Sequence, residues 1–278
     1  MEPRAKTVEL RDQVKLPYVE KGDPSGVPVI LLHGYADSWR SFQLVLPHLP
    51  ESVHAFALTQ RGHGDASRPA SGYGTRDFAA DVLAFMDAFY LDVPVIVGGS
   101  SGGLVARRLG IDRPERTSGI VLVGTPLTLR DKPGVVALWD STISRLTDPV
   151  DPGFVREFVN STVSQRVPQP FIETLVGESL KVPARVWKAT LQGLMEDDAS
   201  EELNKIRART LLIWGDQDSV VPRSDQEAYA AAIQDSRLLV YRGIGHAPYC
   251  EEPVRFATDL AGFVARLAHR QFGPQRAA

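Results

Sequence analysis

The sequence predicts a doubly wound α/β sheet, and three observations carry that prediction. Continuous apolar runs of strand length recur at 27–32, 53–58, 93–97, 119–124, 210–214 and 237–241. Such runs read as strands buried on both faces, as in a parallel sheet. Segments with helical spacing lie between most of them; behind Thr75, an expected N-cap, come Phe78, Val82, Phe85, Met86 and Phe89. Finally, the run at 93–97 passes through Gly98-Gly99-Ser100-Ser101-Gly102-Gly103 straight into a helix-like run, 104–109. Strand, helix, strand, helix in this rhythm is the sequence mark of the fold class.

In chain order, residues 7–21 carry two short β-prone runs, closed by a turn at Gly22-Asp23-Pro24-Ser25-Gly26. The strand at 27–32 ends in His33-Gly34-Tyr35, and a helix is expected from near Ser38 through Trp39, Phe42, Leu44, Val45 and Leu49. After the strand at 53–58 comes the loop Gln60-Arg61-Gly62-His63-Gly64-Asp65. The rhythm breaks after Pro126: from 127 to 207 there is no buried strand run, only helical patterns near 135–146, 154–163, 171–180 and 186–195. The expected division is therefore a core of 1–126 and 208–278, with a helical insertion at 127–207. Its aromatics, Trp139 and Trp187 among them, read mainly as its own core, with a substrate-lining role for Trp39, Trp139 and Trp187 as the sharper alternative. The α/β pattern resumes at 210–214, continues through a helix at 222–233 and a strand at 237–241, and closes with a helix from about 253 to 267; the tail beyond 272 is expected to be loose.

The totals exclude several classes. With 278 residues, 43% hydrophobic and 23% charged, the chain reads as an ordinary globular protein. A net charge of −3 provides no general attraction to nucleic acid or anionic membranes. One cysteine, Cys250, rules out a disulfide framework and a clustered thiolate site and fits a reducing compartment. The start lacks a signal-peptide core and no apolar run reaches membrane length, so a cytoplasmic location is the expectation. No H-E-x-x-H or other ligand set suggests a metal, and the glycine turn is neither G-x-G-x-x-G nor a P-loop, so no cofactor is expected.

The small residues at 98–103 suit a sharp strand-to-helix turn that holds a serine in a strained, exposed conformation. Ser100 stands at the tip and is favoured as a nucleophile; Ser101, one position later, also fits G-x-S-x-G but would lie on the helix. A serine hydroxyl needs a base, a group that orients the base, and donors for an oxyanion. Functional side chains in such sheets sit in loops at the carboxyl ends of strands. Of the six histidines, His33, His63 and His246 meet that condition, and His246, in the glycine-rich loop after the last strand, is favoured as base. Asp216 and Asp218 follow the strand at 210–214; Asp218 lies farther out and is favoured as the orienting acid, with Asp216 expected to cap the turn. The oxyanion donors are expected to be the backbone N–H groups of Ser101 and of Tyr35, with His33 bracing the loop.

With those motifs in order, the chain resembles the α/β-hydrolase superfamily over residues 7–269. Leu32-His33-Gly34-Tyr35 resembles its oxyanion loop, Gln60-Arg61-Gly62-His63-Gly64 its R-G-x-G loop, and Gly98 to Gly103 its nucleophile elbow, with Gly99 where histidine is common. Trp214-Gly215-Asp216-Gln217-Asp218 and Gly245-His246-Ala247-Pro248 resemble its acid and histidine loops, in the order Ser100, Asp218, His246. Gln60 stands where an aspartate is often found. The resemblance implies a mostly parallel, eight-stranded α/β-hydrolase fold with a helical lid after the sixth strand. It implies a serine hydrolase acting on a small-to-medium apolar ester or lactone as its small-molecule substrate. Relatives use the same triad for carbon–carbon bond hydrolysis or for cofactor-free perhydrolase and haloperoxidase chemistry; a ligand receptor that keeps the fold is the alternative of another class. A serine argues against the carboxylate-nucleophile dehalogenases and epoxide hydrolases.

Overall fold

A computed structural model describes residues 4–10, 13–163 and 167–272. Eight strands form one sheet: β1 (Lys6–Glu9), β2 (Lys15–Lys21), β3 (Val27–Leu32), β4 (Val53–Leu58), β5 (Val95–Gly99), β6 (Gly119–Val123), β7 (Arg209–Gly215) and β8 (Ser236–Tyr241). Their spatial order is β1-β2-β4-β3-β5-β6-β7-β8. β1–β2 and β2–β4 pair antiparallel and every later pair is parallel. The expected mostly parallel, doubly wound sheet is therefore present. The apolar runs of β4, β5 and β6 are buried along their whole length, because helices cover both faces of a parallel sheet.

The covering helices are α1 (Thr75–Ala88), α2 (Ser101–Asp112), α7 (Arg223–Ala232), the single turn α8 (Pro248–Glu251) and α9 (Pro253–Phe272). Between β6 and β7 lie α3 (Pro133–Ser141), α4 (Pro152–Thr162), α5 (Gln169–Leu180) and α6 (Ala184–Glu196). Among the described residues this interval holds no strand, as the break in the apolar rhythm predicts. The tail beyond residue 272 lies outside the described residues.

Two local expectations are corrected. No α-helix follows Ser38; the chain makes two 3₁₀ turns instead, Trp39–Phe42 and Leu46–His48. The Ser38 hydroxyl caps the first turn by accepting the Arg40 N–H at 3.1 Å. Pro47 has no N–H to donate and its ring obstructs the preceding turn, so the segment has no room for a longer helix. Thr75 is the first helical residue rather than the N-cap: Gly74 holds that position, its N–H donating to Asp77 Oδ2 at 2.9 Å. The Thr75 hydroxyl is used elsewhere, donating to Asp197 at 2.6 Å.

β5 runs at the centre of the sheet, between β3 and β6, and extends two residues farther than its apolar run, through Gly98 and Gly99. The turn beyond it is so sharp that a Cβ on Gly98 would stand 2.2 Å from the Gly102 carbonyl oxygen. Backbone on both sides of that contact leaves nothing to yield. Gly98→Ala is expected to lose about 3 kcal/mol of stability, the upper end of an overpacking penalty, read as a lowered urea midpoint.

Candidate active site

Ser100 stands between the last residue of β5 and the first of α2 with φ 51° and ψ −119°. A β-carbon strains this conformation, by about 1–3 kcal/mol, and it persists only where the surroundings enforce it. They do so here. The Ser100 N–H donates to Val123 O of β6 at 2.8 Å, and its carbonyl accepts the Gly103 N–H at 2.9 Å. A Cβ on Gly102 would meet the Leu32 carbonyl oxygen at 2.3 Å, so α2 starts directly against the end of β3. The absence of a side chain at Gly99 has a local counterpart. Tyr249 of α8 fills that space, its ring 2.6 Å from where a Cβ would stand.

His246 lies in the loop after β8 and Asp218 in the loop after β7. His246 Nδ1 donates to Asp218 Oδ2 at 2.9 Å, with both side chains almost fully buried. The other carboxylate oxygen accepts the N–H groups of Val220 and Val221 at 2.8 and 2.9 Å. With Nδ1 committed as donor, Nε2 is left as the basic nitrogen. Asp216 does not reach the histidine, nor does it cap its own turn; its carboxylate accepts the Gly243 N–H at 2.6 Å and so braces the loop that carries His246. Glu251 braces the same loop from α8, accepting the N–H groups of Gly245 and Ala247 at 2.9 and 3.3 Å. Gly124 leaves room for the pair: a Cβ there would stand 3.2 Å from His246 Nδ1 and 3.4 Å from Asp218 Oδ2.

The loop after β3 approaches Ser100 from the opposite side. A Cβ on Gly34 would lie 3.4 Å from the Cβ of Ser100. Among the described residues no acceptor takes the N–H of Tyr35 or of Ser101. The Tyr35 hydroxyl donates to Trp187 O of α6 at 2.6 Å, which fixes the loop from above. His33 fixes it from below. Its Nδ1 donates to Gly34 O at 2.7 Å, and Nε2 accepts the Gln60 N–H at 3.0 Å. The Gln60 side chain returns a bond to His33 O at 3.0 Å. Burial holds His33 and His63 well towards their neutral forms, His63 at about 4. Arg61 turns away from this region and makes a buried ion pair with Asp81 of α1, with Nε to Oδ2 at 2.6 Å.

Ser100 and His246 line one cavity of about 50 Å³ together with Gly34, Tyr35, Asp37, Phe158, Val159, Leu175, Ser179 and Tyr249. None of the three tryptophans for which a substrate-lining role was the alternative, Trp39, Trp139 and Trp187, is among its lining residues. Trp39 is buried, with the Arg40 guanidinium over its ring. Trp139 packs part-buried against the core. Trp187 stands one layer back, edge-on to Tyr35 and Phe158 with ring centres 5.0 and 5.1 Å away. A tryptophan in a helical pattern announces burial, and burial satisfies it in the core as well as at a cavity. Two of the residues that do line the wall, Asp37 and Tyr249, follow Tyr35 and His246 by two and three positions. Proximity in sequence to those two residues was the only signal for them. Among the described residues no set of His, Cys, Asp and Glu converges as metal ligands. No described helix is long and apolar enough to cross a membrane.

The family model described as "alpha/beta hydrolase fold" matches residues 27–253, most of the chain. The chain belongs to the α/β-hydrolase family. Within it, the chain is 29% identical over 257 residues to the 2-hydroxymuconate semialdehyde hydrolase of Pseudomonas sp. (strain CF600), which covers 87% of this chain and 88% of that one. It is 28% identical over 281 residues to the non-heme chloroperoxidase of Streptomyces lividans, covering 93% and 99%. An esterase structure from Rhodococcus sp. ECU1013 superposes with a TM-score of 0.82 at 27% identity, covering 96% of this α/β-hydrolase and all of the esterase. The family's esterases, C–C hydrolases and chloroperoxidases are thus all represented among the relatives of this α/β-hydrolase.

Proposed function

We propose that this α/β-hydrolase is a serine esterase that cleaves a small carboxylic ester or lactone that carries no free carboxylate. The observation that carries the reading is the shared cavity: strained Ser100 and Asp218-paired His246 face the same small space. In this reading Ser100 Oγ attacks the carbonyl carbon and its proton passes to His246 Nε2. Asp218 stabilises the imidazolium, and the N–H groups of Tyr35 and Ser101, the latter at the N-terminus of α2, hold the oxyanion. The tetrahedral adduct collapses to an acyl-enzyme as His246 returns the proton to the leaving alcohol. Water, deprotonated by the same nitrogen, then releases the acid. The helices between β6 and β7 act as a lid: Phe158 and Val159 of α4 and Leu175 of α5 supply the apolar side of the cavity and exclude water from it.

A cavity of about 50 Å³ suits a short acyl group. The relative's muconate substrate is by name an anion, whereas no lysine or arginine is among the residues lining this cavity and a carboxyl, Asp37, is. That favours an ester without a free carboxylate over C–C cleavage of a charged acid. The test is labelling with a fluorophosphonate probe, followed by a panel of aryl esters of increasing acyl length. Labelling at Ser100, with turnover falling beyond about four acyl carbons, supports the reading. Labelling elsewhere, or labelling at Ser100 with no ester turned over, overturns it, the second result favouring a ligand receptor. Peracid formation from acetate and hydrogen peroxide at a rate exceeding ester hydrolysis would favour perhydrolysis. Asp218→Asn is expected to lower kcat by about 10⁴-fold with little change in KM, because an amide can hold the ring in the wrong tautomer; steady-state kinetics on the shortest active ester checks it.

A further inference from the structure

Asp37 lines the cavity that Ser100 and His246 share, yet it takes no part in the acyl transfer described above. It follows the oxyanion loop and precedes the 3₁₀ turn at Trp39–Phe42. One carboxylate oxygen accepts the Ser38 N–H at 2.8 Å and the other accepts the Ser41 hydroxyl. Neither partner carries a charge. Burial pushes the carboxyl up to about 7; the bonds from Ser41 and Ser38 oppose the rise, and Glu178 of α5 adds to it. Burial also holds the Tyr249 phenol and the Cys250 thiol of the same wall well above their ordinary values. A carboxylate partly withdrawn from water, with only the Ser38 N–H and the Ser41 hydroxyl on its oxygens, is incompletely compensated. A ligand that supplies the missing charge or donor relieves that penalty, and one that brings a second negative charge increases it.

We propose that Asp37 is a specificity-determining residue of this cavity, selecting ligands that carry a hydrogen-bond donor, a protonated amine above all, and rejecting carboxylates. The inference rests on the proposed esterase function only in naming the ligand as substrate; the charge preference belongs to the cavity itself. The apolar side, Phe158, Val159 and Leu175, holds the hydrocarbon part of such a ligand, and Asp37 meets the donor at the polar end, beside Ser179 and Tyr249. The same arrangement keeps a product acid from lingering, since the released carboxylate is repelled from the wall it has just occupied.

The test separates binding from turnover. n-Butylamine and n-butyrate, nearly isosteric and opposite in charge, are titrated into Ser100→Ala protein by calorimetry at pH 8, with and without Asp37→Asn. The expected result is at least tenfold tighter binding of the amine than of butyrate, falling below threefold when Asp37 is asparagine. The preference is also expected to weaken at pH 6, where the carboxyl regains its proton. Glu178, Tyr249, Cys250 and His246 face the same region, and Asp37→Asn leaves all four in place, so the variant isolates the carboxyl of Asp37. Equal binding of the two probes, or a preference that survives in Asp37→Asn, overturns the proposal. Ser41→Ala serves as the folding control: it removes one brace and keeps the charge, so stability falls while the preference remains. If Ser41→Ala alone abolishes the preference, the turn rather than the carboxyl is responsible and the proposal fails. A failure of the esterase reading appears instead as unlabelled Ser100 or absent turnover, with the binding preference unaffected.

Discussion

Ser100→Ala is expected to lower turnover of a short aryl ester by at least ~10⁴-fold, the scale on which loss of a triad nucleophile acts, while the protein stays folded. In the proposed mechanism the remaining activity is expected to come from the oxyanion donors and from binding alone. The structure explains why the fold should tolerate the change. Ser100 makes its interactions with Val123 and Gly103 through the main chain, so removing Oγ breaks neither. Stability should change by less than about 0.5 kcal/mol, as for a surface substitution. Alanine keeps the β-carbon and therefore the strain of φ 51°. Ser100→Gly removes both hydroxyl and strain, and despite the entropy of an added glycine it should gain about 1 kcal/mol. Kinetics and urea unfolding on the two variants separate the roles: both inactive, only the glycine variant more stable. Activity within tenfold of the parent in Ser100→Ala would move the nucleophile elsewhere, with Ser101 first in line.

Arg107→Ala is expected to be the most destabilising change outside the elbow. Arg107 lies on α2, two turns beyond Ser100, and its side chain is fully buried. Its guanidinium pairs with Asp197, at the end of α6, and donates to Leu127 O and the Tyr229 hydroxyl at 2.6 and 2.9 Å. Tyr229 passes a bond on to Pro126 O at 2.7 Å. One side chain thus ties both ends of the helical segment between β6 and β7 to the helix that starts beside Ser100. Truncation leaves the Asp197 carboxylate buried with only the Thr75 hydroxyl on one oxygen, and breaking a buried pair from one side costs about 3–5 kcal/mol. For a chain of this size that lowers Tm by roughly 10 °C. The orphaned charge, more than the lost attraction, is the cause. Arg107→Met combined with Asp197→Asn should therefore recover a large part of the loss, and a double-mutant cycle in urea checks it. A double variant no more stable than Arg107→Ala would assign the loss to packing instead.

Some of this was legible in the residues alone because its causes are local. A run such as Val95-Ile96-Val97 must be buried whatever surrounds it, and small residues at 98–103 announce a turn too tight for side chains. Asp218 and His246 could be named as candidates because the parallel sheet brings the carboxyl ends of its strands to one edge, so loops far apart in sequence open onto one place. Choosing between Asp216 and Asp218 already strained that logic. Both sit at the right edge, and only the path of the loop puts one at 2.9 Å from His246 and the other under Gly243.

The residues alone set the frame: the succession of strands and helices of a doubly wound sheet, the sharp turn that carries Ser100, and the sheet edge on which Asp218 and His246 were expected. These follow from burial, steric limits and chain direction, each of which acts over a few residues. The wall of the cavity came instead from contacts between distant segments. Aromatic spacing marked Trp39, Trp139 and Trp187 as buried or lining, but could not say which, because a core and a cavity wall make the same demand on a large apolar side chain. Asp37, Tyr249 and Glu251 carry no periodic signal. Their roles arise where the loops after β3 and β8 meet α4 and α5, and that meeting depends on contacts more than a hundred residues apart.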